Sequence, residues 1–340
     1  MPRQLPQMVG AIALVTGRSE GDGTGGDIAT IRYSAAGTEV WIARYNGPAN
    51  GFDGAADIAV NGRFRVVVTG SSKGVGTGFD YVTIRYSKSG NTNWIERWNG
   101  PQNAHDFPID LTMDDACVCA SDTTTVLDTQ HFFYITGSTK GADIGDDYAT
   151  IRYQNHDNPP SRFLWAALYE GPAKRDDDAV GLALFGGDLY VAGTSTAFVN
   201  NLPEFGVGVV KYDLSDGKQE WEERFGNAFA RGLVSDASGV YVAGQRGPFG
   251  AANFLTLKWD PDSTFLWSSS YNGPANNADR PTAITLSMEG GVYVTGGSLG
   301  AGTFEDFATI KYDGLGNDQW TRRFDGPASD DDHPIAVLVD

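Results

Sequence analysis

The chain has 340 residues, with 43 Asp and Glu against 25 Lys and Arg, giving a formal net charge of −18. That balance argues against nucleic acid and anionic membrane surfaces, both of which need basic patches, and no run of about 18 apolar residues offers a membrane-inserting segment. The 44 glycines and 12% aromatics fit many short strands joined by tight turns, not helices.

The first residues, Met1 to Met8, lack the apolar core that a secretory signal needs, and Val9 to Val15 already reads as a strand. From there one phrase recurs six times. A strand ends in glycine (Gly17, Gly70, Gly137, Gly193, Gly244, Gly296) and a glycine-rich loop follows. A second strand ends in Tyr33, Tyr86, Tyr153, Tyr212, Trp259 or Tyr312. After a short turn, a third strand carries Trp41, Trp94, Trp165, Trp221, Trp267 or Trp320 and runs into a corner, often Asn-Gly-Pro. A strand-rich unit repeating about every 50 to 67 residues is the signature of a β-propeller.

The pattern predicts an all-β, six-bladed β-propeller of four-stranded antiparallel blades, forming one domain over 1–340. The blades are expected at 333–339 with 8–46, then 53–99, 106–170, 177–226, 229–272 and 279–325. The chain starts in mid-phrase at residues 8–17 and ends with the missing strand at 334–339, so the N- and C-terminal strands are expected to share one blade. Such a closure removes a free sheet edge. The tryptophans at the third landmark read as core.

With the strands of a blade labelled A to D, the A–B and C–D turns are brief, for example Ser238-Gly239 and Ser89-Gly90. The B–C loops (Arg18 to Asp27, Ser71 to Asp80, Gly297 to Asp306) and D–A connections (Asn46 to Asp53, Asn99 to Asp106, Asn272 to Asp279) are longer. Long loops on a rigid scaffold carry function, so this end is the expected binding face.

Two aspartate series mark that end. Asp53, Asp106, Asp177, Asp279 and Asp332 follow the corner glycine by six residues, with Asn227 expected in the fifth repeat. Asp27, Asp80, Asp147 and Asp306 precede the strand-C cations Arg32, Arg85, Arg152 and Lys311 by five, and a role as counterions is open to those cations and to Lys211 and Lys258. The favoured reading is that the carboxylates accept backbone N–H groups and fix their loops. The sharper one is a channel-mouth ring of Asp53, Asp106, Asp177, Asp279 and Asp332 that binds Ca²⁺ or a cationic ligand, with His105 and His333 alongside. Asp57 and Asp110 on inner strands would add to it, and Gly21 to Asp27 resembles a calcium loop without an EF-hand's register.

The departures from the repeat are the better functional clues. Residues 114–130 enlarge one A–B turn and carry Cys117 and Cys119, read as structural thiols. Ala197 to Phe205 and Arg246 to Asn253 are non-standard B–C loops whose Phe198, Val199, Leu202 and Phe249 are expected to be exposed as a contact patch. His105, His131, His156 and His333 read as solvated loop residues, and no catalytic pattern joins them.

The phrase Asp80-Tyr81-Val82-Thr83-Ile84-Arg85-Tyr86, followed by Trp94 and Arg97-Trp98-Asn99-Gly100-Pro101, resembles the bacterial β-propeller repeat known as SBBP. So does Val292-Tyr293-Val294-Thr295-Gly296-Gly297-Ser298. The resemblance covers nearly the whole chain and is weakest in the fourth and fifth repeats. It implies an extracellular or cell-surface bacterial interaction module, although no signal peptide stands in this chain, and it assigns no catalytic residues. The expectation is therefore a non-enzymatic binding module, taking a protein, small-molecule or glycan ligand across the B–C/D–A end. The alternatives are a metal-assisted hydrolase or lyase at the acidic mouth and a structural module of a surface assembly.

Overall fold

The computed structural model describes residues 12–60, 65–114, 131–142, 145–155, 162–248, 250–328 and 330–339. Residues 8–11, Cys117, Cys119, His156, Phe249 and nearly all of the 114–130 insertion lie outside the described residues, as does the side chain of His131.

The protein is a six-bladed β-propeller, built from six antiparallel sheets that follow the chain in order. The first holds β1 (Ala13–Glu20), β2 (Gly26–Tyr33) and β3 (Glu39–Tyr45); the second holds β4 (Asp53–Val60), β5 (Val66–Lys73), β6 (Phe79–Tyr86) and β7 (Thr92–Trp98). The third comprises β8 (Asp106–Met113), β9 (His131–Lys140), β10 (Asp146–Asn155) and β11 (Arg162–Tyr169). The fourth comprises β12 (Asp178–Phe185), β13 (Asp188–Val199), β14 (Leu202–Tyr212) and β15 (Gln219–Gly226). The fifth is β16 (Ala228–Asp236), β17 (Gly239–Arg246), β18 (Asn253–Trp259) and β19 (Phe265–Tyr271). The sixth is β20 (Asp279–Leu286), β21 (Val292–Leu299), β22 (Glu305–Tyr312) and β23 (Asp318–Phe324). The chain divides into two compact units, 1–135 with 153–163 and 136–152 with 164–340.

Middle strands read as continuous apolar runs because both of their faces are covered, whereas outer strands alternate. In the first unit Val66, Val68, Val82, Ile84 and Tyr86 form a core with Trp41. In the second, Val240, Val242, Leu255, Leu257 and Trp259 join Tyr190, Val207 and Val209 of the preceding sheet. The landmark glycine of strand B has a steric cause. Strand A bulges opposite it, as between Ala55 and Asp57, and a Cβ on Gly70 would stand 2.2 Å from the Gly54 carbonyl. Gly193, Gly244 and Gly296 meet the carbonyls of Asp178, Phe229 and Arg280 in the same way, at 2.1, 2.4 and 2.1 Å.

A latch joins neighbouring sheets at the C–D turns. Trp41 Nε1 donates to the Lys88 carbonyl at 3.0 Å, as Trp165 does to Leu214, Trp221 to Pro261 and Trp267 to Gly314. Gly90 sits on the face of Trp41 with φ 86°, where a Cβ would lie 2.7 Å from the indole. The tryptophans thus serve packing, with Trp41, Trp94 and Trp165 buried and Trp221, Trp267 and Trp320 half-buried.

The first sheet differs from the closed blade the sequence predicts. It has three strands, and residues 331–339 form none. They lie along the sixth sheet where a following strand A would begin. Asp332 N donates to the Glu305 carbonyl at 2.6 Å, as Asp279 N does to Ala252 at 2.6 Å, and Thr282 Oγ1 donates to Pro334 O at 2.9 Å. Pro334 offers no N–H to a ladder, and Ile335 and Leu338 stay 88% and 93% exposed. Consistently, a Cβ on Gly17 would meet nothing within 4 Å among the described residues.

Candidate functional site

The corner aspartates close their own loops. Asp53 accepts the Gly47 N–H at 2.6 Å, Asp106 that of Gly100 at 2.7 Å, Asp279 that of Gly273 at 2.8 Å and Asp332 that of Gly326 at 2.6 Å. Asp177 takes the Thr196 N–H at 3.1 Å together with the Gly171 backbone. Asp53, Asp177 and Asp279 are fully buried and Asp106 is 1% exposed, while Asp332 is half-buried. Burial raises the Asp177 and Asp279 carboxyls above their ordinary value, opposed by these N–H groups and by the Ser195 and Ser298 hydroxyls. The corner itself is stiffened by a side-chain bond across it, Asn46 to Asn50 at 2.7 Å, Asn99 to Asn103 at 2.6 Å and Asn272 to Asn276 at 2.8 Å. In the fifth repeat the register gives this position to Ala228, which pairs with Arg246 as Asp279 pairs with Ser298. The expected substitute, Asn227, takes φ 54° in the tight connection before it.

The second series is also buried, with Asp27, Asp80 and Asp147 each 5% exposed and Asp306 4%. For Asp27, Asp80 and Asp306 the counterions are not the strand-C cations. Five residues along a strand is about 16 Å and an odd number of steps, so those groups point to opposite faces. Arg32 reaches the Lys88 carbonyl instead, and Lys211 reaches Pro261 O, Asp188 and Glu220. Asp27, Asp80 and Asp306 are met by arginines of strand D. Arg97 binds Asp80 at 2.7 Å, Ser72 O at 2.9 Å and Tyr45 Oη at 2.8 Å. Arg323 repeats this on Asp306, Ser298 O and Tyr271 Oη at 2.7, 2.7 and 3.0 Å. A loop threonine completes each set, Thr77 on Asp80 at 3.1 Å and Thr303 on Asp306 at 3.0 Å. The signal was present in the sequence, since Arg44, Arg97, Arg224 and Arg323 each follow the landmark tryptophan by three.

The stretch that resembles a calcium loop is a closed turn, with Gly21 N bonded to Gly25 O at 3.0 Å and Thr24 Oγ1 to Asp27 at 3.0 Å. Gly74 with Gly78 and Gly300 with Phe304 close the same way. Among the described residues, one acidic trio brings carboxylate oxygens within 4.8 Å of one another: Asp306, Asp325 and Asp332. Only Asp332 belongs to the predicted ring, and Asp306 already holds Arg323. On β4 and β8, Asp57 accepts the Leu111 N–H at 3.0 Å, and burial together with the Asp110 carboxylate raises it to about 6.

At the same end, apolar groups face solvent. In the first unit Phe52, Phe79, His105 and Phe107 gather, with centroids 5.8 Å apart for Phe52–Phe79, 5.3 Å for Phe79–His105 and 5.7 Å for Phe79–Phe107. Phe52 and Phe107 are 41% and 45% exposed. Arg18 stands over Phe52 at 5.1 Å and Lys73 over Phe79 at 5.3 Å. His105 is held in this cluster by Phe79 N, which donates to its Nδ1 at 3.2 Å, while its sequence neighbour Asp106 points into the core. His333 is exposed, 3.8 Å from Glu305. In the second unit, Ala197 to Phe205 is not a loop. β13 and β14 extend into a hairpin turned by Asn200 and Asn201 at φ 52° and 62°, the positive values a two-residue hairpin needs. Phe198, Val199 and Leu202 are exposed there.

No family model matches the chain, and no curated protein does. Solved structures give distant likenesses. A mutant apocarotenoid oxygenase of Synechocystis matches at 8% identity and TM-score 0.47, over 91% of this chain and 71% of that one. Drosophila Plexin A in complex with Semaphorin 1b matches at 8% and 0.42, over 93% and 79%. A eukaryotic initiation factor matches at 8% and 0.43, and the chain covers 60% of its length.

Proposed function

We propose that the protein is a non-enzymatic binding module that takes its ligand on the B–C/D–A end. The observation that carries this is the exposed aromatic cluster of Phe52, Phe79, His105 and Phe107. His105 and Phe107 stack, Phe52 meets Phe79 edge-on, and two cations stand over Phe52 and Phe79, outside the apolar cores of the sheets. Aromatic rings gathered on strand ends and the loops beside them suit stacking against sugar rings or the apolar groups of a protein partner. The likeness of the repeat to SBBP modules supports the same reading. No cation is required by it, because the corner carboxylates have loop N–H partners.

The test is a glycan array and an immobilised-peptide array, each probed with labelled protein. A ligand retained by the native chain is expected to be lost by the Phe52→Ala/Phe107→Ala double variant at unchanged melting temperature. Retention that ignores both residues contradicts the assignment.

A further inference from the structure

The fifth blade breaks the repeat in three places that the fold does not require, and two of them, the strand-A bulge and the B–C loop, meet in one cavity. Its corner position is Ala228, not aspartate. Its B–C loop is Gly247-Pro248-Phe249-Gly250, with Gly247 at φ 127° and Gly250 at φ 91°. The extra residue of its strand-A bulge, between Ala230 and Gly232, is Arg231; the corresponding bulge residues are Ala56, Val180 and Thr282 in the second, fourth and sixth blades. A bulge commonly re-aims a side chain beside a site.

The cavity has a volume of about 310 Å³, and Arg231, Arg280, Gln245 and Phe229 are among the residues that line it. That is the lower end of the size range of small-molecule pockets. Two guanidinium groups therefore share one hollow in a chain of net charge −18, and among the described residues no carboxylate lines it. Among the described residues neither arginine has an ion-pair partner, and Arg231 bonds only the neutral Gln245 Oε1, at 3.2 Å. Burial first, and the charge of Arg280 second, make Arg231 easier to deprotonate than an ordinary arginine. Asp279, next in sequence to Arg280, is fully buried and turned to the Gly273 N–H. Like charges held together without a counterion are relieved by a bound anion, and guanidinium forks match the paired oxygens of a carboxylate or phosphate.

We propose that this cavity is an oxyanion-binding site, in which Arg231 and Arg280 hold a carboxylate or phosphate and Phe229 covers the body that bears it. The site is built from residues of the second unit alone and does not depend on the role given to the aromatic cluster.

The test is an NMR titration of the full chain at low ionic strength, following the arginine Nε–H signals, with benzoate, inorganic phosphate and benzamide. Benzamide keeps the shape of benzoate without its charge. The site is expected to take benzoate or phosphate and to hold benzamide at least about tenfold more weakly than benzoate. Arg231→Gln and Arg280→Gln, whose side chains are only partly covered, each weaken the anion at least about tenfold at unchanged melting temperature. Phosphate binding as tightly as benzoate assigns recognition to the oxyanion alone, and tighter benzoate adds the Phe229 wall. Phe52→Ala/Phe107→Ala leaves anion binding intact, so failure of the aromatic reading would register separately. Benzamide matching benzoate, anion binding that survives both arginine substitutions, or no binding of either anion overturns the proposal.

Discussion

The second and fifth blades have the same four-stranded sheet and the same bulge opposite a strand-B glycine, yet they hold their loop ends by different means. In the second, Asp53 closes the corner and Arg97 ties Asp80 to strand B. In the fifth, Ala228, Asn253 and Ser270 stand at those three positions, and Ser270 Oγ donates to the Phe254 carbonyl at 2.9 Å. The fifth sheet still buries Val240, Val242, Leu255, Leu257 and Trp259 completely or nearly so. The comparison teaches that the apolar core makes the blade, while the polar clasp fixes only the loop end. Where the clasp is absent, the end is free for other chemistry.

The largest expected effect tests the part the two blades share. Gly70→Ala drives a methyl into the Gly54 carbonyl and is expected to cost about 3 kcal/mol or more in urea unfolding. Gly17→Ala, with nothing near its Cβ position, is expected to stay within about 0.5 kcal/mol. Equal losses at both positions would show that a fourth strand covers β1 in solution.

Next comes the part in which they differ. Arg97→Leu strands the buried Asp80 carboxylate, and a loss of about 2–3 kcal/mol is expected. Ser270→Ala removes one neutral bond, and calorimetry should register less than about 1 kcal/mol. A reversed order would make the clasp an ornament of the second blade.

A smaller effect belongs to Asp57. Its carboxyl rises from 3.8 to about 6, so the fold favours the protonated form. That stabilisation is complete below pH 3.8 and disappears as pH rises through about 6. Asp57→Asn keeps an acceptor for Leu111 N and is expected to stabilise the protein by about 1 kcal/mol at pH 8, after allowance for solvent screening, and by nothing at pH 3. Melting curves at the two pH values decide it, and a gain that is the same at both would refute the titration.

Much of this was legible in the sequence because propeller blades repeat their constraints. The glycines at 70, 193, 244 and 296 recur where a carbonyl leaves no room for a Cβ, so they marked every four-stranded sheet for which the approach is described. The corner aspartates were legible as loop fixers by the same logic. Side-chain partners were not. Counting along strand C paired Asp27 with Arg32, whereas the bond comes from Arg44 on the neighbouring strand at 3.3 Å, and register across a sheet is invisible to spacing within one strand. The β13–β14 hairpin was hidden for a related reason. Its Asn200-Asn201 turn is a good hairpin signal, but the repeat set an expectation of a loop there. The Arg231 pocket was least legible, since it needs a bulge and an altered loop to meet in space.

The central claim is that the corner carboxylates act as acceptors for their own loops. Unfolding of Asp279→Ala and Asp279→Asn, with calcium and with chelator, tests it most directly. Alanine leaves the Gly273 N–H unpaired in a buried corner and should lose about 2 kcal/mol. Asparagine keeps an acceptor oxygen without the charge whose burial raises this carboxyl, so it should recover most of that loss, with or without calcium. If asparagine proves as damaging as alanine, and the native chain gains stability over both only when calcium is added, the aspartate is a cation ligand and the account fails.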